Sequence, residues 1–188
     1  KEFDVLSSVG DFLSSSAGVS PTLLAFPTYP DPSTGLCAFW TPSEHCYVGA
    51  GAFDGSLARG VHTGRLGPAP LWHGNEAELL AECGCTWKCC GPMGPGRIAV
   101  GGWYNSALWD HTDGSQDRGT AGFYLLAEEL ILPRGTEGDN AQKGLSVFAR
   151  YGHSDADING LANHIAAGVS LSGTFPSRDS DGAGLMVP

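Results

Sequence analysis

Asn163-His-Ile-Ala-Ala-Gly-Val-Ser-Leu-Ser172 decides the fold. Its odd positions read Asn163, Ile165, Ala167, Val169 and Leu171, and its even positions read His164, Ala166, Gly168, Ser170 and Ser172. A period of two is the signature of a strand with one apolar face and one small or polar face. The pattern recurs upstream. In Leu145–Tyr151 the odd positions are Leu145, Val147, Ala149 and Tyr151, against Ser146, Phe148 and Arg150. In Arg97–Asn105 the even positions are Ile98, Val100, Gly102 and Tyr104, against Arg97, Ala99, Gly101, Trp103 and Asn105. Outward from these three, strands are expected over Leu36–Thr41, His45–Phe53, Asn75–Glu82, Arg97–Ser106, Thr120–Leu132, Gln142–Gly152 and Leu161–Phe175, with an eighth beginning at Gly182. They pair as hairpins through Pro42–Glu44, a Cys-rich loop, Arg134–Asn140 and Ser177–Asp181. A short helix is expected only near Asp4–Leu13.

Composition agrees with an all-β chain. Of 188 residues, 28 are Gly and 12 Pro, and only 16% are charged, against about 25% in ordinary soluble proteins. The 20 acids and 10 bases give a net charge of −10, and each half carries −5 (four bases and nine acids through Gly94, then six and eleven). Nucleic-acid binding requires clustered Lys and Arg, and none occur. A hydrophobic fraction of 41% excludes a disordered chain. The N-terminus, Lys1-Glu2-Phe3-Asp4, does not read as a signal peptide, and Gly182–Pro188 stops inside a strand, so both ends read as cuts through something longer. Six cysteines point to an oxidising compartment.

Alternation has two solutions. A soluble sandwich turns its apolar face inward, whereas an outer-membrane barrel turns it to lipid and keeps a polar lumen. Gly, Ala and Ser on the polar face suit a confined lumen better than open water. Strands of about 9–11 residues span a bilayer, a length that Thr120–Leu132 and Leu161–Phe175 reach. Tyr47, Phe53, Tyr104, Tyr151 and Phe175 near strand ends are candidate interfacial girdles.

A resemblance supports the barrel. Ser20-Pro-Thr-Leu-Leu-Ala-Phe-Pro-Thr-Tyr-Pro-Asp-Pro32, then Ala50-Gly-Ala-Phe-Asp-Gly55, Gly122-Phe-Tyr-Leu-Leu-Ala-Glu128 and Gly144-Leu-Ser-Val-Phe-Ala-Arg-Tyr-Gly152 resemble, in order, segments of the carbohydrate-selective porins of the OprB type. Asp155, Asp157, Ala166–Gly168, Gly173, Pro176 and Arg178 continue the likeness. It implies an antiparallel transmembrane β-barrel in the outer membrane, with this chain (1–35 lead-in, 36–188 hairpins) supplying about eight of roughly sixteen strands. It also implies passive admission of mono- or oligosaccharides, contact with outer-membrane lipid, and compatibility with a homo-oligomer such as a trimer.

Candidate site residues follow. Arg97, Trp103 and Arg150 fall on the polar face and are expected to line the lumen. The two arginines either meet substrate or are balanced by nearby acids. Glu129 joins them, although its strand shows no clean alternation. Cys83-Gly-Cys85-Thr-Trp-Lys-Cys89-Cys90 departs from the family. Its C-x-C-x3-C-C spacing favours disulfides within a surface loop over zinc or copper. Asp155, Asp157 and Asn159 match the opening of a calcium loop, but Ala166 stands where its bidentate Glu belongs, so a turn is the first reading. No cofactor is expected beyond divalent cations at the acidic loops 110–117, 137–139, 155–157 and 179–181. No catalytic signature is present, so no enzyme is expected. The rivals to a porin are a secreted sandwich that binds carbohydrate or a partner, and a non-conducting envelope barrel.

Overall fold

The computed structural model describes residues 20–24, 26, 32–61, 63, 66–70, 76–88, 94–135, 143–175, 177–178 and 181–188. Among these, eight strands form one sheet: β1 (Gly35–Trp40), β2 (Cys46–Asp54), β3 (Ala77–Trp87), β4 (Gly96–Asp110), β5 (Gln116–Pro133), β6 (Gly144–Ser154), β7 (Asn163–Ser172) and β8 (Gly182–Val187). Each pairs antiparallel with its successor, in the order β1 to β8. The expected helix at Asp4–Leu13 lies outside the described residues.

The strand ends at Trp40, Cys46, Trp87, Gly96, Pro133, Gly144, Ser172 and Gly182 lie at one rim, and those at Asp54, Ala77, Asp110, Gln116, Ser154 and Asn163 at the other. The sequence reading ended the third strand at Glu82, but β3 continues through Cys83 and Cys85 to Trp87. β4 and β5 also run longer than expected, at 15 and 18 residues. The register slips between Asn105 and Leu108 and again between Leu130 and Leu132.

Burial follows the alternation on every central strand. Ile98, Val100, Leu125, Ile165 and Val169 are exposed, while Ala99, Trp103, Leu126, Arg150 and Ala166 are buried. Large apolar side chains thus cover the outer surface. A soluble sandwich has no use for such a surface, whereas a lipid-facing wall needs it. Trp40 and Trp87 flank this band at one rim, and Tyr104, Phe123 and Tyr151 at the other. Phe123 stacks 5.8 Å from Tyr151, centroid to centroid. Two girdle candidates are corrected: Tyr47 and Phe53 point to the opposite, concave side, where Tyr47 is 3% exposed and Phe53 packs against Phe26.

The core sits on that concave side. Leu80, Ala99, Trp103, Tyr124 and Leu126 of β3, β4 and β5 bury against Leu23 and Phe26 from the lead-in, with Phe39 and Phe53 at the margin.

Candidate functional site

The concave wall carries its polar residues in rows set by register. One row joins Gly49, Glu82, Gly101, Tyr124, Gly152 and His164 across β2 to β7. The Tyr47 hydroxyl donates to Glu82 Oε1, and the Tyr124 hydroxyl donates to Glu82 Oε2 at 2.9 Å. Tyr124 reaches across because Gly101 has no side chain: a Cβ there would overlap the Tyr124 hydroxyl. Glu82 is 2% exposed and Arg150 also 2%. Arg150 feels Glu82 as an attractive neighbour and Arg97 as a repulsive one.

The row of Arg97, Glu128 and Phe148 lies closer to the rim. Arg97 Nε and Nη2 both meet Glu128 Oε2, at 3.1 and 3.0 Å. Both side chains remain about a quarter exposed, at 22% and 24%, so this pair reaches open space while Glu82 and Arg150 do not. Arg97 is therefore paired with an acid while its side chain stays partly exposed.

Trp103 and Arg150 occupy the expected face but are covered. Trp103 is 4% exposed within the apolar cluster under Leu23 and Phe26. Glu129 is corrected. It stands on the lipid-facing side of β5, opposite Gly96 and Val147, and accepts the Trp87 indole N–H at 3.1 Å. The inward acid of that pair is Glu128. The strand hid its phase because Leu126 and Leu130 are apolar on the concave face as well, 2% and 3% exposed.

The cysteine assignment changes too. Cys85 sits on β3, directly opposite Cys46 of β2, and the two form a disulfide. The bond thus links two strands instead of closing a loop. Cys83, also on β3, is a free thiol on the outer surface, and Cys89 and Cys90 lie outside the described residues. Among the described residues no three His, Cys, Asp or Glu side chains gather as a metal site.

In the 155–162 turn, Asp155 Oδ1 accepts the Asp157 N–H at 3.0 Å. The Asn159 side-chain amide donates to Ser154 Oγ at 3.0 Å, Leu161 O at 2.9 Å and Pro21 O at 3.2 Å. Their polar groups hold the turn and the lead-in. Thr112 donates to Asp157 O at 2.7 Å, so 110–117 and 155–157 share one rim, while 137–139 and 179–180 lie outside the described residues. On the shared rim, hydrogen bonds from Ser115 hold the Asp113 carboxyl below the usual carboxylate range.

Sequence reasoning missed Tyr47, Glu82, Tyr124 and Glu128. The signal for one of them was present: Glu82 lies four residues after Glu78 on one strand, so the two acids share a face.

Comparison with known proteins accords with this wall. The family model described as "Carbohydrate-selective porin, OprB family" matches residues 5–188. The high-pH structure of Pseudomonas putida OprB is similar, with a TM-score of 0.74 at 19% identity, over 97% of this chain and 46% of that one. The low-pH structure of Pseudomonas putida OprB aligns with a TM-score of 0.53 at 21% identity, over 81% of this chain and 38% of that one. The chain therefore spans less than half the length of the solved structures it matches. No curated protein matches it.

Proposed function

This chain belongs to the carbohydrate-selective porin family of the OprB type, whose members are outer-membrane β-barrels, and we propose that its eight strands form part of the wall of a barrel of roughly sixteen strands that admits mono- or oligosaccharides passively. The observation that carries the reading is the contrast between the two faces. The outer face bears Val100, Leu125 and Val169, and the inner face bears Arg97 paired with Glu128 and Glu82 clamped by two tyrosines. A lumen built this way offers hydroxyl-bearing solutes donors and acceptors already held in place. Arg97 and Glu128, the partly exposed pair, are the groups that meet the solute.

Single-channel conductance of the full-length protein in a planar bilayer, with and without glucose and maltose, tests this. Discrete open levels that sugar reduces are expected, together with weaker sugar block after Arg97→Gln. A protein that inserts without conducting would support the non-conducting envelope barrel, a reading favoured by the burial of Trp103 and Arg150. Failure to insert would remove the barrel reading altogether.

A further inference from the structure

The lead-in residues 20–24 and 26 make contacts that neither strand pairing nor the lumenal ion pair requires. Ser20 Oγ lies 3.4 Å from His164 Nδ1 on β7. Pro21 O accepts from Asn159 in the β6–β7 turn. Thr22 rests on Gly152 of β6, where a Cβ would overlap Thr22 Oγ1. Leu23 is buried at 7% exposure in the apolar cluster, and Phe26 packs edge-on against Phe53 of β2, with ring centroids 5.3 Å apart. The segment thus touches β7 at one end and β2 at the other.

Those strands are five spacings apart, about 24 Å measured along the wall. Six residue steps reach about 20 Å at most, and the Leu23 N–H to Ser20 O bond shortens this further. The Ser20–His164 and Phe26–Phe53 side-chain contacts supply the remaining reach, so the segment lies across the concave face from β7 to β2. The wall beneath is fitted to it: Gly152 leaves room for Thr22, and Leu80 and Leu126 place apolar side chains where a wet lumen would favour polar ones.

We propose that residues 20–24 and 26 belong to a strap fixed across the lumenal face, and that its seat on Gly152 and on the Leu80–Trp103–Leu126 patch narrows the pore and so sets the size of sugar it passes. This rests on the porin reading. The strap acts by filling cross-section, and its apolar side chains are consumed in docking, so it limits size without selecting charge. Leu23 and Phe26 hold it on the wall, and Gly152 is the matching notch.

The test uses the full-length protein in liposomes, with swelling rates measured on glucose, maltose and maltotriose. Leu23→Ser with Phe26→Ser loosens the strap, and Gly152→Val lifts it from the wall side. In both, the maltotriose-to-glucose rate ratio is expected to rise about threefold or more as the pore widens. An unchanged ratio with glucose flux intact overturns the strap and leaves the porin reading standing. If neither wild type nor variants pass glucose, both fall.

Docking is read independently of flux by Thr22→Cys with Gly152→Cys, in which the cysteine at 22 removes the Oγ1 that a Gly152 Cβ would overlap. Thr22 Cβ lies 3.4 Å from the position of a Gly152 Cβ, close to the separation of about 3.5–4.5 Å that a disulfide needs. The pair is expected to oxidise in the folded barrel and to preserve the wild-type size limit. A pair that stays reduced in folded protein overturns the proposal.

Discussion

Glu82 shows how a buried charge is kept on this wall. Two tyrosine hydroxyls from β2 and β5 cap its oxygens, and Arg150 lies within its field. Neutralising the carboxylate removes one attractive neighbour of Arg150 while the repulsive Arg97 stays. Glu82→Gln is therefore expected to shift the reversal potential in a KCl gradient toward anion preference. It should also cost about 1–3 kcal/mol in urea unfolding, because a buried charge loses its compensation. An unchanged reversal potential would remove Glu82 from the residues that shape the lumenal field. At this scale the faces of Arg97, Trp103 and Arg150 were legible, because their strands alternate cleanly. Glu129 was not, because Leu126 and Leu130 are apolar where lumenal positions are usually polar. That exception has a cause outside the strand: the lead-in covers Leu126, and Gly94 packs against Leu130. No pattern within β5 could disclose a neighbour from a hundred residues earlier.

Between elements, the Cys46–Cys85 bond ties β2 to β3 across a sequence separation of 39 residues. Closing a loop of that size restricts the unfolded chain by about 2–4 kcal/mol. Cys46→Ser with Cys85→Ser is therefore expected to lower the urea midpoint by a corresponding amount, and adding reductant to wild type should do the same. If the double variant unfolds at the wild-type midpoint, the bond contributes nothing beyond the ladder already joining these strands. Spacing alone pointed to bridges inside a loop, since Cys83 to Cys90 crowd together in sequence. The structure differs because β3 extends to Trp87, which brings Cys85 into register with Cys46 of the neighbouring strand. The Asp155–Asn159 turn is the opposite case. Its Asx chemistry was visible from residue types alone, as local hydrogen bonding usually is. Its contact with Pro21 was not.

For the whole molecule, the exposure of the apolar face of this alternation shows which side meets lipid, and that has a cost signature. Leu125 and its β4 partner Val100 stand mid-wall on the outer face. Arg at such a position costs about 2–4 kcal/mol in a bilayer, so Leu125→Arg is expected to slow or block folding into liposomes. Ser170→Arg on the lumenal face should not; equal tolerance of both would argue for a sheet wetted on each side. The remaining consequence concerns the edges. Among the described residues, β1 pairs only with β2 and β8 only with β7. Their outer backbone N–H and C=O groups have no neighbouring strand in this sheet, and in hydrocarbon each unpaired group costs several kcal/mol. A membrane sheet therefore tolerates no open edge and must close on further strands. Residues 1–188 produced alone are accordingly expected to aggregate, or to pair edge to edge, and to show no heat-modifiable monomer on detergent gels. Supplying the remainder of a full-length barrel as a separate chain should restore both that band and conductance. A heat-modifiable, conducting monomer from residues 1–188 alone would mean that eight strands close on themselves, and would leave too little room inside for a strap and a sugar together.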